Sequence, residues 1–420
     1  MKILWLINVK LPMIYRLEGE KNKTIVGGWL DQISEKIIEE HQLVVCYPTD
    51  NVNSEEGNIR NLSYYGIYFN NQKLRNGRLD EREGISILGK ILEKEDPDII
   101  HIHGTEFQYS YFMTKAAENI KLQDRVVISI QGLVGVYAKH YLFNLPIHVI
   151  LGKTIKEILL REGVYAGYKN YMLRGKAENK AIQSVKYVIG RTNWDKGCTN
   201  IINPNAKYLF CNETLRSIFY NDEWKYKNCV PHSIFVSQAS YPIKGFHILL
   251  KALTIVKSRY PDLQVKVAGS DITKDNWIKG SKYALYIQKL IHRYGLKNNI
   301  YFLGPQTAEQ MKNEMLNANI FVSASTIENS PNSLGEGMIL GLPCISSDVG
   351  GVSDLLIHNK EGYIFPLDEM YMLAYYIMDI FANTEKATEM GRAARKHALK
   401  THDADVNYTT LIEIYKKIKG

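Results

Sequence analysis

The feature that most restricts this chain is its rhythm: short apolar runs recur along it, and each interval holds a helical pattern or an irregular stretch. Ile3 to Val9, Leu43 to Tyr47, Asp98 to His103 (DIIHIH), Val126 to Ile130 (VVISI) and Val185 to Gly190 read as buried strands of the first half. After the first run, Gly27-Gly28 opens the segment Trp29 to Glu40, whose Leu30, Ile33, Ile37 and Ile38 share one face of a helix. The second half repeats the alternation with Ser233 to Val236, Val265 to Ala268, Ile300 to Gly304, Ile320 to Ser323 and Cys344 to Ser346. Strands alternating with helices in this way predict α/β architecture, with parallel sheets covered on both faces. The chain's 420 residues exceed what one core usually holds, and Asn221 to Pro231 is polar and irregular. We therefore place one doubly wound, Rossmann-like domain at 1–222 and a second at 223–403, followed by a helix at 404–420. Ligands of open α/β sheets bind at the carboxyl ends of the strands, so two such domains are expected to face a central crevice.

A formal charge of +8, with no basic tail, suits anionic small molecules, phosphate-bearing lipids or a membrane surface and does not call for nucleic acid. The five cysteines, Cys46, Cys198, Cys211, Cys229 and Cys344, are scattered and form no C-x-x-C pair. That pattern points to reduced thiols and a cytoplasmic setting, not to a disulfide frame or a zinc site. The apolar start is broken by Asn8, Lys10 and Pro12, which fits a first strand better than a signal peptide. No apolar run is long enough to span a bilayer, so any membrane, such as the inner face of a cell envelope, is met from its surface. Between Tyr141 and Lys186, Lys153, Lys156, Arg161, Lys169, Arg174, Lys176, Lys180 and Lys186 outnumber Glu157, Glu162 and Glu178. This stretch is either a solvated helical face or a peripheral contact for an acceptor or an anionic membrane.

The stretch Ser323 to Gly351, SASTIENSPNSLGEGMILGLPCISSDVGG, carries the most chemistry. Glu328 falls in a loop after a strand, Pro331 limits the backbone, and Ser333 is the expected N-cap of a helix that Gly341 ends. The amino end of such a helix presents unpaired N–H groups and a positive dipole end, which suits a diphosphate. Glu336, eight positions after Glu328, has two readings, because Ser333-Leu334-Gly335-Glu336 is also a capping box that needs no ligand. His101 and His103 share a face of one strand, which makes a metal site conceivable, but no third ligand lies nearby in sequence and we assign no metal.

The strings E-N-S-P-N-S-L-G-E and G-L-P-C-I-S-S-D-V-G-G resemble the E-x7-E signature of retaining glycosyltransferase family 4, whose members have the GT-B fold. Further elements agree in order across nearly the whole chain: Gly27-Gly28, D-I-I-H-I-H-G, Ser129 with Gln131, P-I-K-G ending at Gly245, A-G-S around Gly269, and the closing helix, which in such enzymes braces the first domain. The resemblance implies a metal-independent, hexosyltransferase-like enzyme without a cofactor, whose co-substrate is a UDP- or GDP-linked sugar and whose acceptor is a glycan or lipid-linked glycan of bacterial surface polysaccharide. By the same resemblance Glu328 would bind donor-sugar hydroxyls, and Glu336 the ribose hydroxyls. The backbone at Asn332, Ser333 and Leu334 would hold the diphosphate, with Lys244 as its cation. His103 would lie near the sugar, and Gly27, Gly28 and Gly269 would admit close approach of the donor. Two positions depart from the pattern: Ala239 stands where many relatives have arginine, and Gln131 where many have histidine. A nucleotide-sugar epimerase on the same fold and a non-catalytic sugar-nucleotide-binding protein are the alternatives. A dinucleotide oxidoreductase fits less well, since no G-x-G-x-x-G follows the first strand.

Overall fold

The computed structural model describes residues 1–19 and 28–420, so Gly27 lies outside the described residues. They form two compact units. Unit 1 comprises Met1–Ala138, Asn170–Thr214 and His402–Gly420, and unit 2 comprises Lys139–Lys169 and Leu215–Thr401. The sequence had suggested contiguous domains at 1–222 and 223–403. The structure instead gives the segment 139–169 to unit 2 and moves the later boundary to Thr214. Hydrogen bonds explain the transfer. The Ile155 and Lys156 amides donate to the carbonyls of Trp277 and Ile278, Thr154 Oγ1 donates to Gly280 O at 2.8 Å, and His247 Nε2 meets Phe143 O at 3.0 Å.

Unit 1 holds an eight-stranded sheet. Its strands are β1 (Lys2–Leu6), β2 (Gln42–Thr49), β3 (Glu55–Ile59), β4 (Leu62–Tyr68), β5 (Ile99–His103), β6 (Val126–Ser129), β7 (Tyr187–Gly190) and β8 (Lys207–Phe210). The order is β3-β4-β2-β1-β5-β6-β7-β8, parallel except for the β3–β4 hairpin. Every residue of β5, β6 and β7 is buried, as expected for strands covered on both faces. The helix Ala404–Lys419 belongs to this unit. Its Leu411, Ile412, Ile414 and Tyr415 join the core around Ile3, Trp5 and Ile14, and Trp5 Nε1 donates to Tyr415 Oη at 2.9 Å.

Unit 2 holds six parallel strands: β9 (Ser233–Val236), β10 (Gln264–Ala268), β11 (Ile300–Gly304), β12 (Ile320–Ser323), β13 (Cys344–Ser347) and β14 (Gly362–Phe365). Their order, β11-β10-β9-β12-β13-β14, is the 3-2-1-4-5-6 order of a doubly wound nucleotide-binding sheet. In each unit the order reverses direction beside the first strand, between β1 and β5 and between β9 and β12. The connections leave to opposite faces at such a point, which opens a crevice at the carboxyl ends of the strands. The most informative sequence stretch begins at the end of β12.

Candidate functional site

In unit 2 three loops meet at the crevice. The first, after β9, runs from Ser237 to Gly245, where φ is +62° and a Cβ would lie 1.7 Å from Ala324 O. The second, after β12, is tied to the first by the Thr326 amide, which donates to Ile243 O at 2.7 Å. The third, after β13, is tied to the second by the Gly351 amide, which donates to Glu328 O at 3.1 Å; at Gly350 (φ +54°) a Cβ would lie 1.9 Å from that same oxygen. Only glycine combines these backbone angles with such close approach. The packing places Lys244 Nζ 2.5 Å from Glu328 Oε1, with only about a quarter of the lysine side chain exposed.

The helix that follows covers Asn332–Leu340 and ends at Gly341 in the left-handed region. Its N-cap is Pro331, not Ser333 as the sequence suggested, and no side chain caps it. Proline's fixed φ suits that position, and Pro331 O accepts from the Leu334 and Gly335 amides. Ser333 is thereby released from capping and instead accepts from Ser237 Oγ at 3.2 Å. The amides of Asn332 and Ser333, the first two residues of the helix, have no acceptor within it and stand at its positive dipole end.

Glu336 is the helix's fifth residue, beyond the reach of a capping box. Its carboxylate accepts two hydrogen bonds of 2.6 Å from Arg216 Nε and Nη2. The guanidinium also lies over the Phe219 ring at 4.8 Å. Burial pushes the Glu336 carboxyl up and Arg216 opposes the shift. Sequence reasoning missed Arg216, which stands 120 positions from its partner. Gly269, at the end of β10, has φ +93°, and a Cβ there would lie 2.7 Å from Gln238 Oε1. That oxygen accepts from the Ala239 and Ser240 amides, so the position without the usual arginine is a buried turn residue.

In unit 1, His103 ends β5 and lines a cavity of about 30 Å³ with Trp29, Leu30, Ser129, Arg191 and Glu213. Burial, helped by the Arg191 charge, pushes His103 down to about 3, and its Nε2 has no hydrogen-bond partner among the described residues. It is therefore a neutral imidazole at physiological pH. His101 is held on both sides, by Tyr415 Oη at 2.5 Å and Ser129 Oγ at 2.6 Å, as expected of a scaffold residue. Gln131 joins a partly buried group with Arg191 and Glu213: Arg191 Nη2 donates to Gln131 Oε1 at 3.1 Å, and both residues donate to Glu213 Oε1. Arg191 and Glu213 also escaped sequence reasoning, because neither stands in a motif. Gly28 is a turn residue just before Trp29.

Residues 226–397 match the family described as Glycosyl transferases group 1. An uncharacterized glycosyltransferase of Bacillus subtilis, YqgM, is 26% identical over 177 residues, covering 42% of this chain and 46% of the relative. The poly(ribitol-phosphate) alpha-N-acetylglucosaminyltransferase of Staphylococcus aureus is 28% identical over 157 residues, covering 36% and 31%. The chain thus spans less than half the length of these curated relatives. Solved structures match along the whole chain: sucrose-phosphate synthase from Thermosynechococcus elongatus gives a TM-score of 0.73 at 15% identity, covering 100% of this chain and 99% of the other. HepE from Anabaena, solved in complex with UDP-glucose, gives 0.69 at 15% identity, covering 99% and 100%. The chain has the GT-B fold.

Proposed function

We propose that this protein, whose second unit carries the group 1 glycosyl transferase match, moves a sugar from a nucleoside-diphosphate donor to a glycan or lipid-linked glycan with retention of anomeric configuration, as in family 4. The observation that carries the reading is the Lys244–Glu328 pair, 2.5 Å apart beside the uncapped amino end of Asn332–Leu340. A carboxylate for sugar hydroxyls, a cation, and helix amides for a diphosphate stand together at the switch point of a nucleotide-binding sheet.

In this reading the bond from the anomeric carbon to the diphosphate breaks and a bond to the acceptor oxygen forms on the same face. The hydroxyl proton passes to the departing phosphate oxygen. Lys244 and the Asn332, Ser333 and Leu334 backbone stabilise the charge that gathers on the diphosphate, which lowers the barrier without a metal ion. Glu328 orients the sugar. Glu336 accepts from the ribose hydroxyls through lone pairs that Arg216 leaves over, and Arg216 acts as its positioning residue. Gly269 gives the nucleotide room, while Gly28 and neutral His103 serve unit 1 as a close-approach turn and a hydrogen-bonding group. The likeness to HepE, solved with UDP-glucose, favours a UDP-linked donor, with GDP as the alternative, and the poly(ribitol-phosphate) transferase relative favours cytoplasmic assembly of bacterial surface polysaccharide as the setting.

The test is thermal-shift binding of UDP, GDP, ADP, CMP and their sugars to the wild type and Glu336→Gln. A diphosphate that stabilises the wild type and has a weakened effect on the variant supports the site and identifies the base, whereas no response to any of them ends the transferase reading. Product analysis with the identified donor then separates transfer, which makes a new glycosidic bond, from epimerisation, which makes none.

A further inference from the structure

Eight of the twenty exposed large apolar residues among the described residues fall within two short stretches of unit 2, Ile147 to Leu160 and Trp277-Ile278. The stretches are joined by the Ile155 and Lys156 amides, each donating at 3.1 Å to Trp277 O and Ile278 O. Within the helix Ile155–Leu159 and its C-cap, Ile158, Leu159 and Leu160 are consecutive and all exposed, Leu159 by 76%. Consecutive helical residues point about 100° apart. No single buried stripe can account for three in a row, and a face meant only for water would carry polar residues at some of them.

This apolar surface is held firmly. Thr154 and Glu157 form a complete capping box, and the buried Glu157 carboxylate also accepts from the Lys282 amide at 3.1 Å. Lys282 Nζ lies over the Trp277 ring at 4.7 Å. The exposed charges around it are mostly of one sign, with Lys153, Lys156, Arg161 and Lys279 against Glu162. Aliphatic side chains and a tryptophan, fringed by lysine and arginine, are the composition of a surface that sits at the boundary between lipid headgroups and acyl chains. A protein partner would place carboxylates opposite those cations; an anionic bilayer supplies negative charge and an apolar layer together. No helix among the described residues is long and apolar enough to cross a membrane.

We propose that unit 2 docks on an anionic membrane surface through the helices Ile147–Ile150 and Ile155–Leu159 and the turn at Trp277-Ile278. The contact is narrower than the basic stretch 141–186. Arg174, for example, is buried against Phe107 and Tyr171 and meets no lipid. The docking does not depend on the transferase reading, since it is measured without donor or acceptor.

The experiment is flotation of the full chain with vesicles of equal parts phosphatidylcholine and phosphatidylglycerol, and with phosphatidylcholine alone. The wild type is expected to partition onto the anionic vesicles roughly tenfold or more above the neutral ones, with the excess falling as salt is raised. Ile158→Glu with Leu159→Glu, two exposed positions whose replacement leaves the core intact, should lower anionic binding roughly tenfold or more while the melting temperature holds. Trp277→Phe should abolish a lipid-induced blue shift in fluorescence. The proposal is overturned if the wild type ignores both vesicles, or if it binds both equally. It is also overturned if the double variant binds as well as wild type, or if sedimentation shows that the double variant merely splits a dimer formed through this face.

Discussion

Lys244 and Glu328 neutralise each other across 2.5 Å, so a bound diphosphate must compete for the lysine. Lys244→Ala is expected to lower kcat by roughly 10²- to 10³-fold, the scale on which removal of one charge-stabilising donor acts. Because the lysine is partly exposed, its melting temperature should stay close to wild type; unchanged turnover would remove it from the mechanism. Arg216 differs, because it is the counter-charge of a carboxylate only 3% exposed. Arg216→Met leaves Glu336 buried and uncompensated, at an expected cost of about 3 kcal/mol in unfolding free energy. Adding Glu336→Gln should recover much of that loss, and a denaturation double-mutant cycle measures the coupling. The two glutamates were legible because their motif is local, lying on one loop and one helix. Arg216 was not, since the chain around it, T-L-R-S-I-F, is an ordinary irregular stretch whose arginine gains meaning only when folding brings it to residue 336.

At the scale of elements, most of the strands that sequence revealed are largely buried, as β5 and β6 are throughout, although the edge strand β11 was also read with only Ile300 buried. Those it missed lie toward the sheet edges. The antiparallel β3, Glu55–Ile59, and the edge strand β8 leave none of their residues buried, so neither has a buried face for hydrophobic patterning to reveal. Loop closure at the crevice depends on Gly245, and Gly245→Ala should cost more than about 1 kcal/mol and weaken nucleotide binding by displacing Ala324. Gly89→Ala, in the helix Glu81–Glu95 with nothing within 4 Å of its Cβ, should instead add roughly 0.5–1 kcal/mol. A second junction is sensitive to pH. Glu178 accepts from Thr105 Oγ1 and from the Val134 and Gly135 amides, yet burial pushes its carboxyl up to about 8. The folded protein therefore keeps a proton that the unfolded chain gives up near 4.5, and the stability this contributes is lost as pH rises from there through about 8. Glu178→Gln should flatten the pH dependence of the melting temperature across that window.

At the scale of the molecule, the pattern of strands and helices foretold two doubly wound sheets but not how the chain threads them. The segment 139–169 reads as part of the first half, and its hydrogen bonds to His247, Trp277, Ile278 and Gly280 show where it belongs. Unit 1 is likewise assembled from three pieces, with Tyr415 fully buried beside Trp5. Removing residues 404–420 should therefore lower the melting temperature and expose apolar surface to a reporter dye, whereas an unchanged melting curve would mean that the helix only decorates its sheet. The same threading sets a timetable for a chain leaving the ribosome. Residues 215–401 have to be synthesised before the piece that covers Trp5, which at roughly 5 to 20 residues per second takes on the order of ten to forty seconds. For that interval one wall of the first unit's core stands open, so the newborn protein is a natural client for chaperones, and slowed translation of the second unit would lengthen its exposure.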